Sequence, residues 1–149
     1  MSNPLISICI PTYKRTDLLK KLLDSIKIQT FKNFEILVND NSPDNSVELL
    51  VNSYLQGLPV LYKRNEPAVS AGVNCIRVMQ RASGAWIKVM HDDDWFATND
   101  ALALFAEAAT NSGKDFIFCA SKQVWLDSDK TEDDMLTPEK KQMLDNSHF

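Results

Sequence analysis

Three adjacent carboxylates, Asp92, Asp93 and Asp94, follow His91 and precede Trp95, directly after the apolar run Trp86-Ile87-Lys88-Val89-Met90. Carboxylates this close resist ionising together, and a divalent cation removes the conflict. Hard oxygen ligands suit Mg²⁺ or Mn²⁺ holding a diphosphate. The plainer reading is an acidic turn opening a helix, where Asp is also favoured. His91 reads first as a structural strand-end residue and second as a metal ligand or partner. Trp95 is a cover beside the acidic run or a helix staple.

A second carboxylate, Asp40, lies in the turn cluster Asn39-Asp40-Asn41-Ser42-Pro43-Asp44. As a turn residue it forms an Asx-turn. As a binding group it would accept the N3–H of uracil or the N–H groups of guanine. Tyr13 can pack against a base or sugar, and Lys14 and Arg15 can meet a phosphate or only solvent. Asn65 and Asn74 are turn and helix residues on one reading and hydrogen-bonding groups on the other. Four glycines, at 57, 72, 84 and 113, build no G-x-G-x-x-G and no G-x-x-x-x-G-K-[ST]. A glycine-rich phosphate loop is thereby excluded, and metal-bridged phosphate binding is the alternative. No G-x-S-x-G elbow occurs either.

The elements that must hold these residues follow from apolar periodicity. Strands are expected at 5–10, 34–38, 60–63, 86–90 and 116–120, with 123–126 as a candidate sixth. Helices are expected from Thr16-Asp17, with Leu18, Leu19, Leu22, Leu23 and Ile26 on one face, and from Asn45, with Glu48 completing a capping box, to about Leu55. Two more cover 69–82, with Val73, Ile76 and Met79 inward, and a stretch from Asn99-Asp100 to Asn111, with Leu102, Phe105, Ala106 and Ala109 on one face. A last helix is expected from about Pro138, since Pro favours a first helical turn. Apolar strands alternating with helices indicate an α/β, Rossmann-like, mostly parallel sheet with helices on both faces. Ligands of such sheets bind beyond the carboxyl ends of the strands. Here those ends are Pro11–Arg15, Asn39–Ser42, Arg64–Glu66 and His91–Asp94, all polar.

At 149 residues and 44% hydrophobic content the chain suits one ordinary domain, expected over 1–126, with 127–149 a tail and the start of an acceptor region. A net charge of −4 argues against a nucleic-acid partner. Cys9, Cys75 and Cys119 have no metal-site spacing; Cys9 and Cys119 read as core residues of a reducing compartment. No apolar run approaches the roughly 18–20 residues of a membrane span, and the first residues do not look like a signal peptide. A cytoplasmic location is expected, with attachment to the inner face of a membrane left open.

The run Ile6-Ser-Ile-Cys-Ile-Pro-Thr-Tyr-Lys-Arg15 resembles the start of family-2 glycosyltransferases of the GT-A fold. The likeness continues through Leu18-Leu19, Ser25-Ile26, Gln29-Thr30-Phe31, Phe34 to Ser42, Gly84 to Ile87 and the acidic run at 92–94. It implies a UDP- or GDP-linked sugar donor, a glycan or lipid-linked acceptor, Mn²⁺ or Mg²⁺, inversion at the anomeric carbon, and a role in cell-wall or surface polysaccharide synthesis. By the resemblance, Pro11, Thr12 and Tyr13 line the nucleoside, Asp40 recognises the base, Asp92 touches the ribose and Asp93 binds the metal, with Asp94 an alternative ligand in the other register. Arg15, Asn65 and Asn74 complete the expected donor site. Two positions depart from the family pattern: Asn39 stands where a first aspartate is usual, and Val73 where a basic residue often precedes Asn74. No general base is recognisable, and the chain reads as a donor-binding fragment. A non-catalytic binding module is the rival. A phosphoaspartate signalling domain is disfavoured, because Pro11-Thr12-Tyr13 stands where its acidic pair would be.

Overall fold

The computed structural model describes residues 3–119, 121–128 and 131–134. The chain divides into two compact units, Met1–Gly113 and Lys114–Phe149.

In the first unit, strands β1 (Ile6–Thr12), β2 (Phe34–Asp40), β3 (Val60–Arg64) and β4 (Trp86–Val89) form one sheet in the order β3-β2-β1-β4. All three pairings are parallel, as the apolar strand runs imply. Side-chain alternation assigns the two faces. Ile6, Ile8 and Ile10 of β1, with Phe34, Ile36 and Val38 of β2, join the main core. Helix α1 (Thr16–Lys27) adds Leu19, Leu22, Leu23 and Ile26 to it, α2 (Ser46–Asn52) adds Val47 and Val51, and α4 (Ala101–Asn111) adds Leu102 and Ala106. The intervening strand residues Cys9 and Leu37 face the other way, onto Val78 of α3 (Ala71–Met79). Helices therefore cover both faces, as expected.

Three local expectations need correction. First, Val73 and Ile76 of α3 are 40% and 53% exposed, while Asn74 and Val78 are buried. The inward face is turned by one position, because Asn74 finds polar partners under the sheet edge. Second, Asn45 makes no side-chain cap on α2. Asp44 accepts from the Ser46 N–H at 3.0 Å, and Arg64 donates to Asn45 Oδ1 and Glu48 Oε2 at 3.0 and 3.3 Å, so the capping groups are spent elsewhere. Third, residues 116–119 form no strand; Phe116 and Phe118 are 78% and 49% exposed and Cys119 is exposed, so that apolar run is not core. Ala120 and the segment from Pro138 lie outside the described residues.

The second unit contains an antiparallel pair, β5 (Ser121–Val124) with β6 (Thr131–Asp134). The expected sixth strand corresponds to β5, shifted towards the N-terminus. Among the described residues no helix is long and apolar enough to cross a membrane.

Gln29 positions the acidic segment. At the end of α1 its amide donates to the Thr98 carbonyl at 2.7 Å and accepts from the Leu102 N–H at 2.9 Å, capping the first turn of α4. The Phe96 N–H donates to Ser25 Oγ at 3.1 Å. Residues 96–102 are thus tied to α1, which fixes the acidic run upstream of them.

Candidate functional site

The carboxyl ends of β1 and β2 are in register: Thr12 pairs with Asp40 across the ladder. The Thr12 hydroxyl donates to Asp92 Oδ2 at 2.8 Å, and the Tyr13 N–H donates to the same oxygen at 3.3 Å. Asp92 is buried at 6% exposure, so these donors offset its desolvation. Arg15 reaches across to Asp92 Oδ1 at 3.4 Å and Asp93 Oδ2 at 2.6 Å. Asp93 is half exposed and Asp94 is exposed; Asp94 accepts from the His91 N–H at 3.3 Å. His91 is itself exposed.

Asp40 is fully buried. One oxygen accepts from the Ser42 N–H at 2.7 Å, the Asx-turn bond expected of it, and the other from the Tyr62 hydroxyl at 2.8 Å. Arg64 Nε stands 3.9 Å away. Burial, and then the bond to Asp40, push the Tyr62 phenol up to about 12. Tyr62 was not singled out in the sequence, and Arg64 was taken only as part of a polar strand end. The available signal was their i, i+2 spacing on β3, which puts both on one face beside the end of β2. Arg64 also donates to the Asp44 carbonyl at 2.8 Å, binding β3 to the turn before α2.

A ladder of amides runs under the same edge. Asn65 donates to Asn41 Oδ1 at 2.9 Å and to Asn74 Oδ1 at 2.7 Å. Asn74 donates to the Asn39 carbonyl at 3.2 Å, and Arg77 donates to Asn65 Oδ1 at 3.0 Å. Asn65 and Asn74 are buried, so they hold loops and α3 rather than present free groups. Asn39 points to the opposite face from Asp40, where its Oδ1 accepts from the Arg81 guanidinium and its Nδ2 is buried without a partner. The aspartate absent at position 39 would have faced Arg81.

A cleft of about 280 Å³ opens beside these groups, lined by Tyr13, Asn41, Ser42, Pro43, Arg64, Asn65, Glu66, Pro67 and Ala68. Tyr13, 53% exposed, lines the cleft, and its backbone N–H holds Asp92 outside it. Pro11 is half-buried on β1. The structure thus gathers Thr12, Tyr13, Arg15, Asp92 and Asp93 by direct bonds, and Asp40, Asn65 and Asn74 behind them. Asp40 and the acidic triplet do not line the cleft itself.

Among the described residues no three His, Cys, Asp or Glu side chains form a complete metal cage. Mg²⁺ usually keeps several waters and takes one or two carboxylates plus substrate phosphates. The Asp92–Asp93 pair, which here holds the Arg15 guanidinium, would supply those one or two carboxylates.

The family model described as "Glycosyl transferase family 2" matches residues 7–144. The chain belongs to this family. Among curated members, it is 31% identical over 127 residues to the abequosyltransferase RfbV of Salmonella typhimurium, covering 83% of this chain and 38% of that protein. Among solved structures, S. aureus TarS 1–349 in complex with UDP aligns at 25% identity with a TM-score of 0.62, covering 68% of this chain and 30% of that one. The mannosyltransferase PcManGT of Pyrobaculum calidifontis, in complex with GDP-Man and Mn²⁺, shares the fold at a TM-score of 0.65 and 18% identity, covering 77% of this chain and 34% of that one. These neighbours make the sheet a GT-A fold. The chain spans well under half the length of the relatives it matches.

Proposed function

We propose that this chain supplies the donor-binding part of a glycosyltransferase that moves a sugar from a UDP- or GDP-linked donor to a hydroxyl of a glycan or lipid-linked acceptor, with inversion, in cell-wall or surface polysaccharide synthesis. The observation that carries this reading is the Thr12 link: one residue pairs with Asp40 and bonds Asp92, so two carboxylates meet at one sheet edge. The likeness to S. aureus TarS, crystallised with UDP, supports a nucleotide at that edge.

On this reading Pro11, Thr12 and Tyr13 line the nucleoside, with Tyr13 packing on base or ribose. Asp92, held by Thr12, Tyr13 and Arg15, accepts from a ribose hydroxyl. Asp40 serves base recognition from behind the cleft, fixing the Asn41–Ser42 turn through the bond it accepts from the Ser42 N–H. Arg15 meets the diphosphate. Asn65 and Asn74 keep the loops in place. Asp93, with Asp94, holds Mn²⁺ or Mg²⁺, which when bound offsets the charge developing on the leaving diphosphate. The acceptor proton passes to a general base, a role assigned to no residue of this chain.

Calorimetry with UDP and GDP, each with and without Mn²⁺, tests the reading. One of the two should bind, and more tightly with Mn²⁺. Absence of binding by either nucleotide in both conditions contradicts it.

A further inference from the structure

Arg15 pairs with two of the three carboxylates of the acidic run. Its guanidinium lies 2.6 Å from Asp93 Oδ2 and 3.4 Å from Asp92 Oδ1. The neighbouring ammonium groups are directed elsewhere: Lys14 lies 5.2 Å from the centre of the Tyr13 ring and Lys21 5.7 Å from that of Trp95. The two ends of the Arg15 contact differ. Asp92 is a buried oxygen pair with its own donors from Thr12 and Tyr13, whereas Asp93 is half exposed. A divalent cation taking Asp93 therefore competes with a guanidinium already in place.

We infer that Arg15 is a resident counter-cation, displaced from Asp93 when a divalent metal binds and passed to the diphosphate that arrives with it. This rests on the metal-dependent donor site proposed above. An arginine fork matches phosphate as well as carboxylate, so the diphosphate gives it a new partner at the moment it loses Asp93. Metal alone must expel the guanidinium with no such exchange. The free site is thereby biased against metal without nucleotide, and metal and donor bind as a pair.

The test measures Mn²⁺ binding to the full 149-residue chain from the electron paramagnetic resonance signal of free Mn²⁺, first without nucleotide and then with UDP or GDP. Arg15→Met is compared with wild type and with Lys32→Met. Lys32 precedes β2 at the opposite end of the sheet, so that variant makes the same change in net charge far from the site. Arg15→Met should bind Mn²⁺ alone about two- to fivefold more tightly than either, the range of an exposed ion pair. It should also lose part of the gain in Mn²⁺ affinity that nucleotide confers on wild type. As a second readout, Mg²⁺ should shift the Arg15 side-chain Nε resonance of wild type. Equal Mn²⁺ affinity in Arg15→Met and Lys32→Met, or weaker binding in Arg15→Met, overturns the inference and leaves the donor-site reading standing. No Mn²⁺ binding by any of the three proteins, with or without nucleotide, overturns both.

Discussion

The two acidic ends of the site are built differently. Asp40 is sealed: fully buried, with each oxygen already bonded, by Ser42 and Tyr62. Asp93 is open: half exposed and held, among the described residues, through a solvent-facing arginine. A buried carboxylate surrounded by fixed donors contributes to stability and orientation, because removing it strands its partners without water. An exposed one adds little to folding and is free to exchange partners. Asp92 lies between, buried like Asp40 but tied through Arg15 to the open end. One edge of the sheet thus carries both a rigid wall and an exchangeable cation site.

The largest expected break in that contrast comes from truncating the two ends separately. Asp40→Ala should cost about 3 kcal/mol of stability, since two charge-assisted hydrogen bonds are lost. Asp93→Ala should stay within about 0.5 kcal/mol of wild type while weakening Mn²⁺ binding. Urea unfolding of both variants reads the difference, and equal losses would contradict it. Next in size, Asn65→Ala should cost about 2 kcal/mol, because it leaves Arg77, Asn41 and Asn74 with unmet bonds on the rigid side.

A smaller effect comes from the amino end of the strands, far from the cleft. Burial pushes the Glu35 carboxyl up, but bonds from Ser7, Ser83 and Gly84 outweigh it and hold it below its ordinary value. Its ionised form then stabilises the fold fully above the unfolded value near 4.5, and that contribution is lost as pH falls through the folded value. The stability advantage of wild type over Glu35→Gln should therefore be constant at neutral pH and shrink in acid, as thermal melts across pH 7 to 3 would read. An advantage that grows in acid would contradict the sign.

Much of this was legible in the sequence because strand alternation and the α1 stripe are strong, redundant signals. Ile6, Ile8 and Ile10, and Leu19 through Ile26, pack where their periods place them. Helix α3 was misread because Val73 and Ile76 are apolar yet exposed, and a buried Asn74 decides the orientation through bonds to distant backbone. Hydrophobic period cannot register such a contact. For the same reason Thr12 and Asp40 were placed at the edge by the strand-end rule, whereas the Thr12 bond to Asp92, and the Tyr62 and Arg64 partners of Asp40, needed the register of the strands. The Phe116–Cys119 run shows the opposite failure, apolar composition without burial.

One nucleotide should touch both ends of this edge. In a nuclear magnetic resonance titration of the chain with UDP or GDP in Mg²⁺, the backbone amides of Asn41 and Ser42 and those of Asp92 to Asp94 should shift together, with one dissociation constant. Shifts confined to one of the two groups, or two unequal constants, would contradict it.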